Sequence, residues 1–334
     1  MFNNYLLILV SAKIFFVGLT IYFFVIYLQW DMFTYPDFYT IYGNCSEKAY
    51  TNILFSTLFC KLSLFFDTAP TFKSLFFIFM AASLNMLMLV GYFKIFEQYL
   101  KKHGKYLLII LLVSHPYLNI YFFRFYTDLF ASLGIFLIVF YKIKNINLDI
   151  LFLLASLMLM NFRNALIPVF FVYGLLEIYS HIKKRNHKSI FYAFILLSFS
   201  IVAYLPSAKF GIQFLNINAD IGFLEKIIYN IFLALGYRES IGISKEIFVF
   251  DSLIDVLSFI VSLIFILIHS TGLFGIIKFS FDRNKSILII FVYLILPILA
   301  IAHLRYLLPL IPVLLFGYVY LYFGTVKIEN NTNQ

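Results

Sequence analysis

The chain has 334 residues, 63% of them hydrophobic and only 12% charged, with a formal net charge of +9. A soluble globular domain carries about 45–50% apolar and about 25% charged residues, so this composition excludes one and indicates an all-α polytopic membrane protein. Its 44 Phe and 25 Tyr are far too many for a cofactor box and suit lipid contact and the two membrane interfaces.

The first apolar run, Ile14 to Leu28, follows Lys13 and opens into Gln29, Trp30 and Asp31. No small-residue cleavage site lies nearby, which reads as a retained first span over 8–29. An external loop follows over 29–70. It begins with an aromatic, acidic stretch from Trp30 to Tyr39, and 52–66 is apolar enough to lie as a short helix on the membrane surface. Asp37, after Pro36, stands in a rigid aromatic segment. A carboxylate there suits a base that deprotonates a sugar hydroxyl. Asp31, beside Trp30, is the second candidate, and for both an ordinary solvated acid is the alternative. Cys45 and Cys60 give no metal spacing and leave one disulfide or two free thiols as alternatives. Asn44-Cys45-Ser46 and Asn330-Asn331-Thr332 match the short N-glycosylation acceptor pattern.

Further spans are expected over 71–93, 106–122, 127–141, 147–161, 164–180, 189–206, 253–277, 286–302 and 306–323, making about ten. A single transmembrane domain over 1–324 results, with a cytoplasmic tail over 325–334. A second external loop, the fourth on that side, covers 207–252, and its stretch from Ile227 to Leu235 suits another surface helix. The third to sixth spans pair across turns at 123–126 and 162–163, too short to be soluble loops.

Charge sits in those turns. His115-Pro116 is followed by Arg124-Phe125-Tyr126-Thr127-Asp128, where Arg124 and Asp128 are four apart. They either neutralise a buried turn as an ion pair, or Asp128 orients Arg124 towards a phosphate. In Asn161-Phe162-Arg163-Asn164 the asparagines suit a turn, whereas Arg163 has no turn role. It is either solvated or bound to an anion, for which its planar fork of donors is suited. His303-Leu304-Arg305-Tyr306 lies between Pro297 and Pro309, and Arg305 beside Tyr306 is the stronger anion candidate, His303 being equally a structural histidine. His269, alone in an apolar span, receives no role. Charges at bilayer depth cost about 2.5–3.5 kcal/mol each on insertion scales, so they persist when paired or when they hold something charged.

Basic residues set the orientation. Lys13, Lys94, Lys101, Lys102, Lys105, Lys142, Lys144, Lys183, Lys184, Arg185, Lys188, Lys278, Arg283, Lys285 and Lys327 fall on one side, which the positive-inside rule makes cytoplasmic together with both termini. The basic balance thus reflects topology and anionic headgroups, with no nucleic acid implied. No Gly-rich phosphate loop, metal-ligand spacing or internal repeat of 20–50 residues occurs, so no cofactor or metal is expected and chemistry is placed on the external face.

The acidic first loop, the His-Pro segment followed by Arg-Tyr-Thr-Asp, and the late Arg305-Tyr306-Leu307-Leu308-Pro309 resemble the C-type membrane glycosyltransferase superfamily. The segments Asn161 to Pro168 and His303 to Pro309 are most similar to those of bacterial O-antigen polymerases. The chain departs from the superfamily pattern in lacking an extended external C-terminal domain and in having Tyr35-Pro36-Asp37 where adjacent acids are usual. The resemblance implies a polysaccharide polymerase of the bacterial inner membrane. It would transfer an oligosaccharide from undecaprenyl diphosphate to a second lipid-linked repeat unit. Arg124, Arg163 and Arg305 would grip the diphosphate, aided by His303, Asp128 and Tyr306, while Asp37 serves as base and Asp31 assists. A flippase and a chain-length regulator are the implied protein partners. Two alternatives stay open: a transferase using a polyprenyl-monophosphate sugar, and a lipid-linked oligosaccharide transporter. Transporters often carry matching broken spans in two halves, a symmetry this chain lacks.

Overall fold

The computed structural model describes residues 4–22, 70–123, 127–216, 227, 231, 253–295 and 307–325. They are almost entirely helical, and among them the only β pairing is an isolated bridge between Leu100 and Gly324. In chain order the helices are α1 (Asn4–Ile21), α2 (Pro70–Phe96), α3 (Lys102–Ser114), α4 (Pro116–Ile120), α5 (Thr127–Lys144), α6 (Ile150–Phe162), α7 (Ile167–Lys184), α8 (His187–Asn216), α9 (Leu253–Asp282) and α10 (Ile311–Phe323). Three 3₁₀ segments join them, Glu97–Tyr99, Asn164–Leu166 and Lys285–Leu294.

Among the described residues, three helical stretches are long and apolar enough to cross a membrane: Asn4–Ile21, Phe76–Tyr99 and Phe259–Asp282. The other apolar helices are shorter. Their outward faces are oily, with Leu151, Tyr179 and Phe194 at 70%, 79% and 62% exposure. A helix this apolar on all sides belongs in lipid or in a core.

Four features differ from the sequence expectation. The span expected over 106–122 breaks at His115, because the residue before a proline is pushed out of helical geometry and Pro116 offers no N–H to continue the ladder. Helix α8 runs through Pro206 to Asn216, so the first ten residues assigned to the loop 207–252 are helical; proline is tolerated in long apolar helices where neighbours re-satisfy the backbone. The stretch expected as a span over 286–302 begins as a 3₁₀ helix of 10 residues, Lys285–Leu294, longer than the 3–4 residues common for that form; nothing in the structure explains it. Lys13, expected on the cytoplasmic side, is fully buried in the middle of α1, because apolar residues flank it in both directions from Tyr5 onwards. The surface helix expected over 52–66, the cysteines and nearly all of the tail lie outside the described residues.

The tightest helix pair is α9 with α10. A Cβ at Gly275 would overlap the Gly317 carbonyl oxygen, and one at Gly272 would overlap that of Leu314. Small residues permit this backbone approach, the usual source of affinity between helices that gain nothing from burying oil in oil. Below the crossing an aromatic cluster fills the gap to α2, with Phe96 stacked on Phe316 at 3.8 Å and Phe279 edge-on to Phe316 at 5.0 Å.

The basic ends of the helices are knitted together. Lys101 N–H donates to the Phe323 carbonyl at 3.0 Å, Arg283 to the Thr325 carbonyl at 2.9 Å, and Asn284 to the Lys142 carbonyl at 2.9 Å. Lys142 pairs with Glu177, whose second oxygen meets His181 Nε2 at 2.9 Å. Asp149 caps α6 by accepting from Phe152 N–H at 2.8 Å and also accepts from Tyr141 OH at 3.0 Å.

Candidate functional site

Two helices start at the basic end and stop short. Helices α3 and α6 have 13 residues each, which is about 20 Å of rise. Their far ends therefore deliver His115 and Arg163 to a similar depth inside the bundle. His269 lies about 20 Å from Asp282 along α9 by the same rise. A layer of polar side chains forms there within an otherwise apolar interior.

One half of this layer is the Asp128–Arg163 pair. Asp128 sits in the first turn of α5, where the helix dipole favours a carboxylate, and its side chain is fully buried. Arg163 occupies the extended residue between α6 and the 3₁₀ turn Asn164–Leu166. Its Nη2 lies 2.8 Å from Asp128 Oδ1, and its side chain keeps 18% of its exposure. The turn is closed by Leu166 N–H donating to the Arg163 carbonyl at 3.0 Å. Arg163 is thus neither a solvated turn residue nor free to swing, since a buried carboxylate fixes it. One turn further along α5, Ser132 Oγ donates to the Asp128 carbonyl at 3.1 Å.

The other half forms where α3 breaks. Pro116 cannot donate to the Leu112 carbonyl, and Lys13 Nζ takes that acceptor at 3.2 Å. Lys13 also donates to Asn119 Oδ1, while Asn119 Nδ2 donates to the Val113 carbonyl at 3.0 Å. The Phe122 ring faces Lys13 Nζ at 5.6 Å. Among the described residues Lys13 meets no carboxylate within ion-pair distance. His115, fully buried, places Nε2 at 3.1 Å from His269 Nε2. One ring donates and the other accepts, and Phe265 packs edge-on to His115 at 4.4 Å. Asn85 on α2 donates to the Phe122 carbonyl at 2.9 Å.

A small cavity touches a neighbour of each half, Phe122 and Ser132, and is lined also by Asn85, Tyr92, Tyr121 and Leu308 among others, with about 30 Å³ of internal space, room for about one water. It brings the segment preceding Arg124 and the segment following Tyr306 to the same wall. Arg124 itself, with Asp31, Asp37, His303, Arg305 and Tyr306, lies outside the described residues. Of the sequence candidates, then, the structure places Asp128 and Arg163 and binds them to each other. No group of three or more His, Cys, Asp or Glu that could hold a metal occurs among the described residues.

Sequence reasoning missed Lys13, Asn119 and the partner of His269. The signal for Lys13 was present, a lone ammonium with apolar runs on both sides. For His269 none was, because its partner is 154 positions away. Compared with protein-family models, curated proteins and solved structures, the chain matches none.

Proposed function

We propose that the protein is a multi-pass enzyme of about ten spans in the bacterial inner membrane, with both termini cytoplasmic, that polymerises lipid-linked oligosaccharides on the external face. The observation that carries this reading is a buried carboxylate holding an arginine at the end of the short helix α6, about 20 Å from the basic end of the bundle. An ion pair at such depth is costly and weak as a source of stability. A preorganised guanidinium, by contrast, is what a phosphate leaving group needs.

In the proposed reaction an acceptor hydroxyl attacks the anomeric carbon of the donor sugar. The bond to undecaprenyl diphosphate breaks, and the diphosphate leaves with its electron pair. Arg163, oriented by Asp128, neutralises the developing charge through its donor fork, with Arg124, Arg305, Tyr306 and His303 completing the clamp. Asp37 takes the proton of the acceptor hydroxyl, with Asp31 beside it. Arg163→Lys keeps the charge and loses the fork, so it lowers polymer length without abolishing insertion.

In a strain lacking this gene, surface polysaccharide run on a gel is expected to collapse to a single repeat unit, and the wild-type gene to restore the ladder. Arg305→Ala, Arg163→Ala with a normal long-chain ladder contradicts the proposal. Loss of one side sugar from every repeat instead identifies a monophosphate-sugar transferase.

The second reading is a lipid-linked oligosaccharide transporter. The buried Lys13 and the His115–His269 pair favour it, since ionisable groups inside spans often serve transport. Polymer made by purified protein from lipid-linked repeats, with no second compartment present, excludes it.

A further inference from the structure

We propose that the groove between the end of α1 and α4 is a binding site for an anionic phospholipid of the outer leaflet, with Lys13 as its charge. The groove has a volume of about 240 Å³ and is lined by Phe16, Leu19, Thr20, Ser114, Pro116, Asn119 and Ile120. Lys13, Phe16 and Thr20 follow one another on one face of α1 at helical spacing. The ammonium lies fully buried behind the groove wall, bound to Asn119, which lines the groove.

Three properties identify the occupant. Charge is the first: Lys13 is fully buried and is answered by neutral oxygens, with no carboxylate near it among the described residues. A buried cation without a counter-ion is costly, and a phosphate in the groove supplies one. Depth is the second. Thr20 lies about 24 Å along α1 from Asn4, and α3 ends after about 20 Å, both short of the roughly 30 Å hydrocarbon core. Beside the broken end of α3 a thinned bilayer brings an outer-leaflet headgroup down towards the groove. Lining chemistry is the third. Ser114 and Thr20 offer hydroxyls for phosphate oxygens, while Phe16 and Leu19, 38% and 48% exposed, offer an oily flank for acyl chains. The site owes nothing to the polymerase chemistry, and only its leaflet rests on the orientation proposed above.

The test is native mass spectrometry of the delipidated full-length protein in detergent, titrated with dioleoyl phosphatidylglycerol or dioleoyl phosphatidylcholine. One lysine contributes about fivefold preference for the anionic lipid, and Lys13→Met removes that preference. Leu19→Trp, which fills the groove and leaves the Lys13 bonds in place, weakens binding of phosphatidylglycerol. Equal binding of the two lipids by the wild-type protein overturns the proposal, as does a preference that survives Lys13→Met. Displacement of phosphatidylglycerol by inorganic phosphate or undecaprenyl phosphate at matched concentration overturns the assignment to a bilayer phospholipid. Should Lys13→Met fail to insert, unchanged phosphatidylglycerol binding by Leu19→Trp overturns it alone.

Discussion

The basic ends of the helices and the polar layer within the bundle both concentrate charge, yet they answer it differently. At the basic end carboxylates answer much of it: Asp149 caps its own helix, Glu177 serves both Lys142 and His181, and Tyr320 donates to Asp282 at 3.0 Å. The Lys142–Glu177–His181 contacts are themselves buried and join α5 to α7. In the inner layer neutral groups answer much of the charge. Asp128 pairs with Arg163 at the end of the next helix, the Leu112 carbonyl and Asn119 answer Lys13, and His115 faces His269. Both sets of contacts join segments distant in sequence. Long-range pairing of buried charge is expensive and is retained where it positions a group for use.

That contrast can be broken where it is strongest. Arg163→Ala leaves Asp128 buried without this partner and is expected to destabilise the protein by about 3–5 kcal/mol. Replacing both, Asp128→Leu with Arg163→Leu, recovers most of that loss, as read from unfolding in mixed detergent micelles. An Arg163→Ala protein as stable as wild type would show that the pair contributes nothing to the inner layer. Asn119→Leu takes one of the two oxygens from Lys13 and is expected to cost about 1.5–3 kcal/mol, the range for hydrogen bonds to charged groups. At the basic end, Asp149→Ala removes a cap and the acceptor of Tyr141 OH and is expected to cost about 1–2 kcal/mol in the same measurement. A larger effect there than at Asn119 reverses the ranking of the two regions.

Much of the helical layout was legible from apolar runs alone, since lipid-facing helices need no pattern beyond oiliness. The turn at Arg163 was legible too, because an arginine between two apolar helices must reach either water or an anion. The break at His115 was written in the chain as His115-Pro116, and the apolar residues on either side of it masked the consequence. Lys13 was misplaced because charge beside an apolar run suggests a flank, whereas Tyr5 to Val10 continues the run beyond it. The Asp128–Arg163 and His115–His269 pairs depend on which helices pack together, and no local rule of spacing encodes that.

The central claim is that Arg163, held by Asp128, grips the lipid phosphate during polymer formation. Purified wild-type protein and the Asp128→Leu, Arg163→Leu variant, matched for unfolding stability, should be given lipid-linked repeat units in detergent and their products sized by mass. The wild-type protein is expected to give a ladder of repeats, and the folded variant single units alone. A full ladder from the variant would contradict the claim.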